Sequence, residues 1–180
     1  MKLMIASDIH GDAACCSALA KAFENEKADK LLLLGDLLYH GPRNDLPDGY
    51  APKKVIEILS AMKEKLICVR GNCDTEVDQM VLPFPILSDT AFLHIDGVDI
   101  FAAHGHKASP DDLPPLPDGC VFLSGHTHIP VCQKRGEVIC LNPGSTSIPK
   151  GGFPKSYMVY ENRKFTVKSF DGKVILECEI

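Results

Sequence analysis

The sequence predicts an α/β fold in which two mixed β-sheets stack on one another with helices outside them. Three observations carry that expectation. Leu31–Leu34 is an uninterrupted apolar run of strand length, bounded by Lys30 on one side and Gly35-Asp36 on the other. Such a run without alternation fits a strand buried on both faces, in the middle of a parallel sheet. It could also be a piece of buried helix, but the glycine that ends it breaks either element and lets the chain turn. Between Leu3 and Val69, strand-like runs alternate with helical periodicity in the order β-α-β-α-β, which predicts parallel strands joined by right-handed crossovers. From about residue 85 the texture changes to short runs separated by tight turns, the pattern of hairpins.

The first strand, Leu3–Ser7, runs into Asp8-Ile9-His10-Gly11. Asp12 is placed to cap a helix over about residues 13–25, where Cys15, Leu19, Ala22 and Phe23 repeat at i, i+4, i+7 and i+8 to give one buried face. The leucine strand follows and ends at Asp36. Leu37–Tyr50 reads as a loop from its turn residues Gly41, Pro42, Pro47 and Gly49. Pro52 suits the first turn of a second helix, about residues 52–64, with Val55, Leu59 and Met62 facing inward. The third strand is Leu66–Val69. Beyond it, Asp96-Gly97, Arg135-Gly136 and Asp171-Gly172 are expected hairpin turns, and prolines make Leu113–Pro117 and Ile148–Pro154 loops. Tyr157–Ile180 is expected to form antiparallel strands that close the second sheet. With no repeat, low-complexity tract or linker, one domain over residues 1–180 is expected, long enough for a sizeable core.

Hydrophobic residues make up 45% and charged residues 24%, the balance of an ordinary soluble globular protein. A net charge of −5 predicts no general attraction to nucleic acid or to an anionic membrane. An anionic substrate would have to be held by metals and a few local cations. No apolar stretch approaches the roughly 20 residues of a membrane span. Asp8 and His10 interrupt the first apolar run early, so it reads as a strand rather than a signal peptide. The eight cysteines are an even number, yet Cys15, Cys16, Cys68, Cys120 and Cys140 lie in apolar periodic segments as small hydrophobes, and no CxxC pair occurs. Free thiols and a cytoplasmic location are expected.

Five apolar runs each end in a glycine next to Asp, Asn or His. These polar residues are not core filler, since Asp and Asn are rarely buried without partners. In open α/β sheets, ligands bind just past the ends of such strands. Five strand ends converging on one rim would bring together Asp8, His10, Asp36, Asn72, His104, His126 and His128, a metal site. Mixed nitrogen and oxygen donors without thiolates suit Mn²⁺, Fe or Zn²⁺ better than Ca²⁺. Seven candidates exceed one tetrahedral ion and fit two ions sharing a carboxylate, the clamp used for in-line displacement at phosphorus.

The set Asp8-x-His10, Gly35-Asp36, Gly71-Asn72-x-Asp74, His104-Gly105 and Gly125-His126-x-His128 resembles the calcineurin-like metallophosphoesterase family. His40-Gly41-Pro42-Arg43-Asn44, Asn142-Pro143-Gly144-Ser145 and Ile148-Pro149-Lys150-Gly151-Gly152 extend the likeness to the small bacterial YfcE-type phosphodiesterases over the full length. The resemblance implies a four-layer αββα sandwich and a site for two divalent metal ions, often Mn²⁺. It implies Asp8, His10, Asp36 and His128 around one ion and Asp36, Asn72, His104 and His126 around the other, with Asp36 bridging. The implied activity is metal-dependent hydrolysis of a small phosphodiester by a metal-bound hydroxide. One position departs from the wider family: most members carry histidine after the Gly-Asn, assigned to the transition state or leaving group, and here it is Cys73. His40 and Arg43, in the loop beyond Asp36, are candidates for leaving-group and phosphate contacts, a guanidinium being suited to the latter. Asn72 is the other candidate substrate contact.

Two competing readings remain at this point. The retromer's small subunit resembles the same fold but has lost several metal ligands and serves as a protein-binding scaffold; here every expected ligand is present. A nuclease is disfavoured by the negative charge and by the lack of a basic stripe or aromatic stacking platform. Monoester against diester preference, and monomer against homo-oligomer, are left open by the sequence.

Overall fold

A computed structural model describes residues 1–180. The N-terminal part follows the alternation read from the sequence. β1 (Leu3–Ala6), α1 (Ala13–Glu26), β2 (Lys30–Leu33), α2 (Pro52–Ala61) and β3 (Leu66–Cys68) succeed one another, and β1, β2 and β3 pair in parallel. Asp12 caps α1 by accepting from the Cys15 amide. α2 starts on Pro52 but stops at Ala61, and Lys63–Lys65 complete the segment as a tighter 3₁₀ turn before β3. A short helix that the periodicity did not predict, α3 (Glu76–Val81), follows β3. Its start is fixed by a reciprocal capping box between Thr75 and Asp78.

The unalternating leucine run has two different cores on its two sides. Leu31 and Leu33, with Met4 and Ala6 of β1, pack against Leu19 and Phe23 of α1 and Val55 and Leu59 of α2. Leu32 and Leu34, with Leu3 and Ile5, face the opposite way into the space between the sheets, against Ile100, Val121 and Leu141. Side chains alternate across a strand, so a strand covered on both faces must be apolar at every position. Each fully buried leucine stabilises the fold by about 1.5–3 kcal/mol.

The second sheet contains β4 (Thr90–Ile95), β5 (Val98–Ala103), β6 (Val121–Leu123), β7 (Pro130–Arg135) and β8 (Val138–Pro143), in the order β4-β5-β6-β8-β7. β5, β6 and β8 are parallel, and the edge strands β4 and β7 are antiparallel to their neighbours. The Asp96-Gly97 and Arg135-Gly136 hairpins are where the sequence puts them. On the outer face of this sheet, Ala103, Phe122 and Cys140 are covered by Ala108, Leu113 and Leu116 of the proline-rich loop.

The expectation for the last strands is corrected. β9 (Ser156–Glu161), β10 (Lys164–Ser169) and β11 (Val174–Glu179) extend the first sheet instead of closing the second, giving the order β11-β10-β9-β1-β2-β3. β9 pairs antiparallel with the edge of β1 that β2 leaves free. Ser156–Tyr160 are all buried, which suits an interior position with both faces covered. Asn162 and Arg163, both at positive φ, form the two-residue β9–β10 turn.

Candidate metal centre

The loops after β1, β2, β3, β5 and β6 meet at one rim of the sandwich. Their backbones are tied together before any side chain is considered: Asp8 donates its amide to the Gly35 carbonyl, and His10 to that of Asp36. Gly35 and Gly71 let two of these loops touch, since a Cβ at Gly35 would collide with the Gly71 amide and one at Gly71 with the Asp36 carboxylate. The buried Asp74 carboxylate accepts from the amides of Asp36, Leu37 and Gly71 at 2.8, 2.9 and 2.8 Å, clamping the Gly35-Asp36 turn to the Gly71-Asn72 turn. Asn142 does the same for the histidine loop after β6, donating to the Gly125 carbonyl and the Thr127 hydroxyl and accepting from the Gly144 amide. Ser145 and Ser147 both donate to the Asp8 carbonyl.

These ties hold the backbone in a conformation it would not choose. Asp8, His10, Asp36, His126 and His128 all have positive φ, between 48° and 64°. Non-glycine residues there are uncommon, each costs on the order of 1–3 kcal/mol, and such residues gather at functional sites.

The strained residues aim their side chains at one another. His10, His104 and His128 each donate Nδ1–H to a backbone carbonyl, those of Tyr39, Leu34 and Ile148, at 2.8, 2.6 and 2.6 Å. That fixes the rings and turns every Nε2 inward, as in histidines that ligate metals. His10 Nε2 and His128 Nε2 face each other at 3.4 Å, with Asp8 Oδ1 3.5 and 3.3 Å from them. On the other side, His104 Nε2 lies 3.0 Å from Asn72 Oδ1 and 3.2 Å from His126 Nδ1. Asp36 Oδ2 stands between the two groups, 3.7 Å from His10 Nε2 and 3.4 Å from His104 Nε2. Asp8 Oδ1 is fully buried with no hydrogen-bond donor. Asp8, His10 and His128 form one cluster whose donor atoms lie within 4.8 Å of one another, and Asp8, Asp36 and His104 form another.

This centre draws positive charge. Burial opposes ionisation of Asp8, yet the neighbouring His10, His128 and His104 imidazoles hold its carboxyl well below the usual range. Burial alone would lower His104, but its bond to Asp36 and the charges of Asp8 and Asp36 push it up to about 9. Burial and the charge of His104 lower the outer rings His126 and His106. In the protein alone, a proton on His104 partly offsets the carboxylates. Divalent cations fit the same places: facing ring nitrogens, an orphaned carboxylate oxygen and a second carboxylate between the groups are a donor set for them.

A pocket of about 420 Å³ opens above the cluster, lined by His10, Asp36, Asn72, Cys73, His126 and His128 together with Arg43. All seven predicted ligand residues are thus brought to one rim. His40 is not among the residues lining this pocket; its ring packs edge-on between Tyr39 and Tyr50, at centroid distances of 4.7 and 5.4 Å. Cys73 is buried at the pocket wall, receives a hydrogen bond from the Asn72 amide, and donates its own backbone N–H to Asp36. Burial and then the Asp36 charge push its thiol up to about 12. The sequence reading assigned no role to Thr127, which also lines the pocket, or to Asp74 and Asn142, which hold it in shape. Asp74 and Asn142 were visible only as members of the quoted motifs. Lys150, in the glycine-rich loop, also lines the pocket.

Comparison with known proteins identifies the family. Phosphodiesterase YfcE of Escherichia coli (strain K12) is 47% identical over 176 residues, which span 98% of this chain and 96% of the relative. The solved structure of YfcE superposes with a TM-score of 0.98 over 100% of both chains. Vps29 of Entamoeba histolytica, at 19% identity and a TM-score of 0.63 over 100% of this chain and 99% of the other, shares the fold alone. The sequence model of the calcineurin-like phosphoesterase superfamily domain matches residues 1–164, the stretch that carries every one of the converging strand ends. The chain belongs to the calcineurin-like phosphoesterase superfamily.

Proposed function

We propose that the protein is a metal-dependent phosphodiesterase that hydrolyses a small phosphodiester at a dinuclear centre. The observation that carries this reading is the position of Asp36 Oδ2, 3.7 and 3.4 Å from ring nitrogens of two separate histidine groups. The likeness to YfcE, a phosphodiesterase by name, supports it. Asp8, His10, Asp36 and His128 would hold one ion and Asp36, Asn72, His104 and His126 the other, and this nitrogen and oxygen set suits Mn²⁺. The chemistry that bound divalent ions supply at such a site is polarisation of the phosphoryl oxygens and activation of a water.

The chain's own residues then have distinct tasks. Arg43 is a guanidinium in a pocket with only one hydrophobic lining residue, placed to receive a non-bridging phosphoryl oxygen. Asn72 stays exposed at the mouth, where its amide can meet substrate as well as ligate. A thiol at Cys73 is a weak hydrogen-bond donor, so esters that leave without a proton are favoured. The histidines and carboxylates gathered at one rim support catalysis over the scaffold alternative. No helix is long and apolar enough to cross a membrane. A cytoplasmic location is proposed with the function.

The test is hydrolysis of bis(p-nitrophenyl) phosphate by protein treated with chelator and then reloaded with Mn²⁺, Zn²⁺ or Fe²⁺, beside p-nitrophenyl phosphate. Turnover that needs the added ion and favours the diester is expected. Equal turnover in chelator, or none with any ion, refutes the reading.

A further inference from the structure

The metal pocket is polar, but the surface beside it is not. A groove of about 500 Å³ runs between Tyr39, the start of α2 and α3. Seven of its eleven lining residues are hydrophobic, against one of twelve in the metal pocket, so the two have different chemistry. Val77 and Val81 sit at i, i+4 on one face of α3 and are 69% and 48% exposed, and Tyr39 is 41% exposed. Single exposed apolar residues are ordinary, but a contiguous set lining a concave surface marks a place where something apolar binds. Cys73 belongs to both linings. Its sulfur lies within 4.8 Å of the ligand atoms of His10 and Asp36. The groove and the metal pocket therefore adjoin at Cys73, on the side where an ester group reaching past that residue would lie. Thr75, Asp78 and Lys53 supply the only polar or charged side chains besides the tyrosine hydroxyls and the Cys73 thiol, too few to read the edges of a nucleobase or a sugar.

We propose that this groove is a subsite for the apolar ester group of the substrate, an aryl or alkyl chain, with Cys73 as the wall it shares with the metal centre. The inference rests on the phosphodiesterase reading and adds the substrate class. Tyr39 and Tyr50 flank the groove at one end with aromatic surface, and Ile56, Val77 and Val81 line it with aliphatic surface. Continuity with the reaction centre is what favours a substrate group over a second copy of the chain as the occupant.

Dialkyl phosphates test this without turnover, because their alkoxides leave too poorly to react. Dimethyl, diethyl and dibutyl phosphate are measured as competitive inhibitors of bis(p-nitrophenyl) phosphate hydrolysis by the Mn²⁺-loaded protein. Burial of a methylene tightens binding by roughly 4-fold. The inhibition constant should therefore fall at least about 10-fold from methyl to butyl. In the Val77→Asp/Val81→Asp double variant the butyl-over-methyl ratio should drop below about 3-fold, while Val77→Leu/Val81→Leu keeps it. Tyr39→Ser is the second probe if the double variant fails to fold, and should reduce the same ratio. A flat alkyl series in the wild type, with turnover intact, overturns the subsite and leaves the activity standing. So does a gain that survives in the aspartate variant. A flat series together with a change in sedimentation in that variant makes the surface a subunit interface instead. If the wild type does not turn over the diester with any metal, the activity falls first and the subsite falls with it.

Discussion

Replacing Asp74 with asparagine isolates the clamp that shapes the metal centre without touching a ligand. The wild-type carboxylate is 2% exposed and accepts three backbone N–H groups, two on Oδ2 and one on Oδ1. In the asparagine variant the amide oxygen takes the Oδ2 position, where two bonds survive, and the amide NH₂ is left facing the Leu37 N–H. One buried donor without an acceptor costs about 1–3 kcal/mol, and two bonds reduced from charged to neutral strength cost about 1 kcal/mol each. Burial raises the Asp74 pKa above the usual carboxylate value, so removing the charge returns part of that loss. A net loss of about 2–4 kcal/mol is expected. For a chain of this size it corresponds to a Tm lower by about 4–16 °C. The assay is urea unfolding in chelator, so that metal affinity does not enter, with the midpoint falling at unchanged slope. A loss under about 1 kcal/mol would refute the clamp, because it would mean that water or a relaxed loop satisfies the three amides.

Four further outcomes follow from the structure. Asp36→Asn should lower the content of both metals together, whereas His128→Ala should mainly empty one site. Elemental analysis of the purified variants decides it, and two ions retained by the Asp36 variant would end the bridging role. Cys73→His should accelerate alkyl diesters far more than nitrophenyl diesters, by up to the roughly 10²- to 10⁴-fold of a positioned proton donor. Because the His40 ring lies between two tyrosines, His40→Ala should leave the dependence of rate on leaving-group pKa unchanged; a steeper dependence would make His40 the acid. The last outcome concerns acid. Burial would raise the Glu26 carboxyl, but Lys168 and Lys2, at 2.7 and 2.9 Å, with Tyr157, hold it at about 2. A depressed folded pKa stabilises fully above the unfolded value and is lost as pH falls through the folded one. Stability should therefore drop between about pH 4.5 and about pH 2, and Glu26→Gln should flatten that stretch of a urea-midpoint series against pH.

The strand ends were legible because they break the rule of their own neighbourhood. An aspartate one glycine beyond four leucines, or histidines within a few residues of the ends of apolar runs, have no place in a core and must be explained by what they face. The first sheet's parallel half was legible for a related reason, since Leu31–Leu34 must be covered twice. What the sequence hid was pairing at a distance. Tyr157–Tyr160 reads as a strand, but nothing local says that its neighbour is β1, on the far side of the chain, rather than β8. α3 was hidden by its length: six residues are too few to show a period, and only Thr75 and Asp78, the two halves of its cap, marked it. The packing of the half-buried His40 between Tyr39 and Tyr50 is tertiary structure within a loop that composition describes only as a loop.

The ties that build the centre also decide when it can exist. His10 and His128 are 118 residues apart, His104 reaches a carbonyl 70 residues away, and Asp74 grips an amide at a separation of 38. Contacts closed over such spans form late, after shorter-range structure has reduced the entropy of bringing their ends together. No short segment of the chain holds a complete group of donors, since one group runs from Asp8 to His128 and the other from Asp36 to His126, so an ion is a poor nucleus for the fold, unlike zinc in a finger. The native topology has to be reached on the two hydrophobic cores alone, and the metal arrives at a finished vessel. A cell short of the ion would then hold folded, idle molecules rather than unfolded ones for its proteases to clear. Restoring the ion would switch on the existing pool at the speed of binding, with no new synthesis.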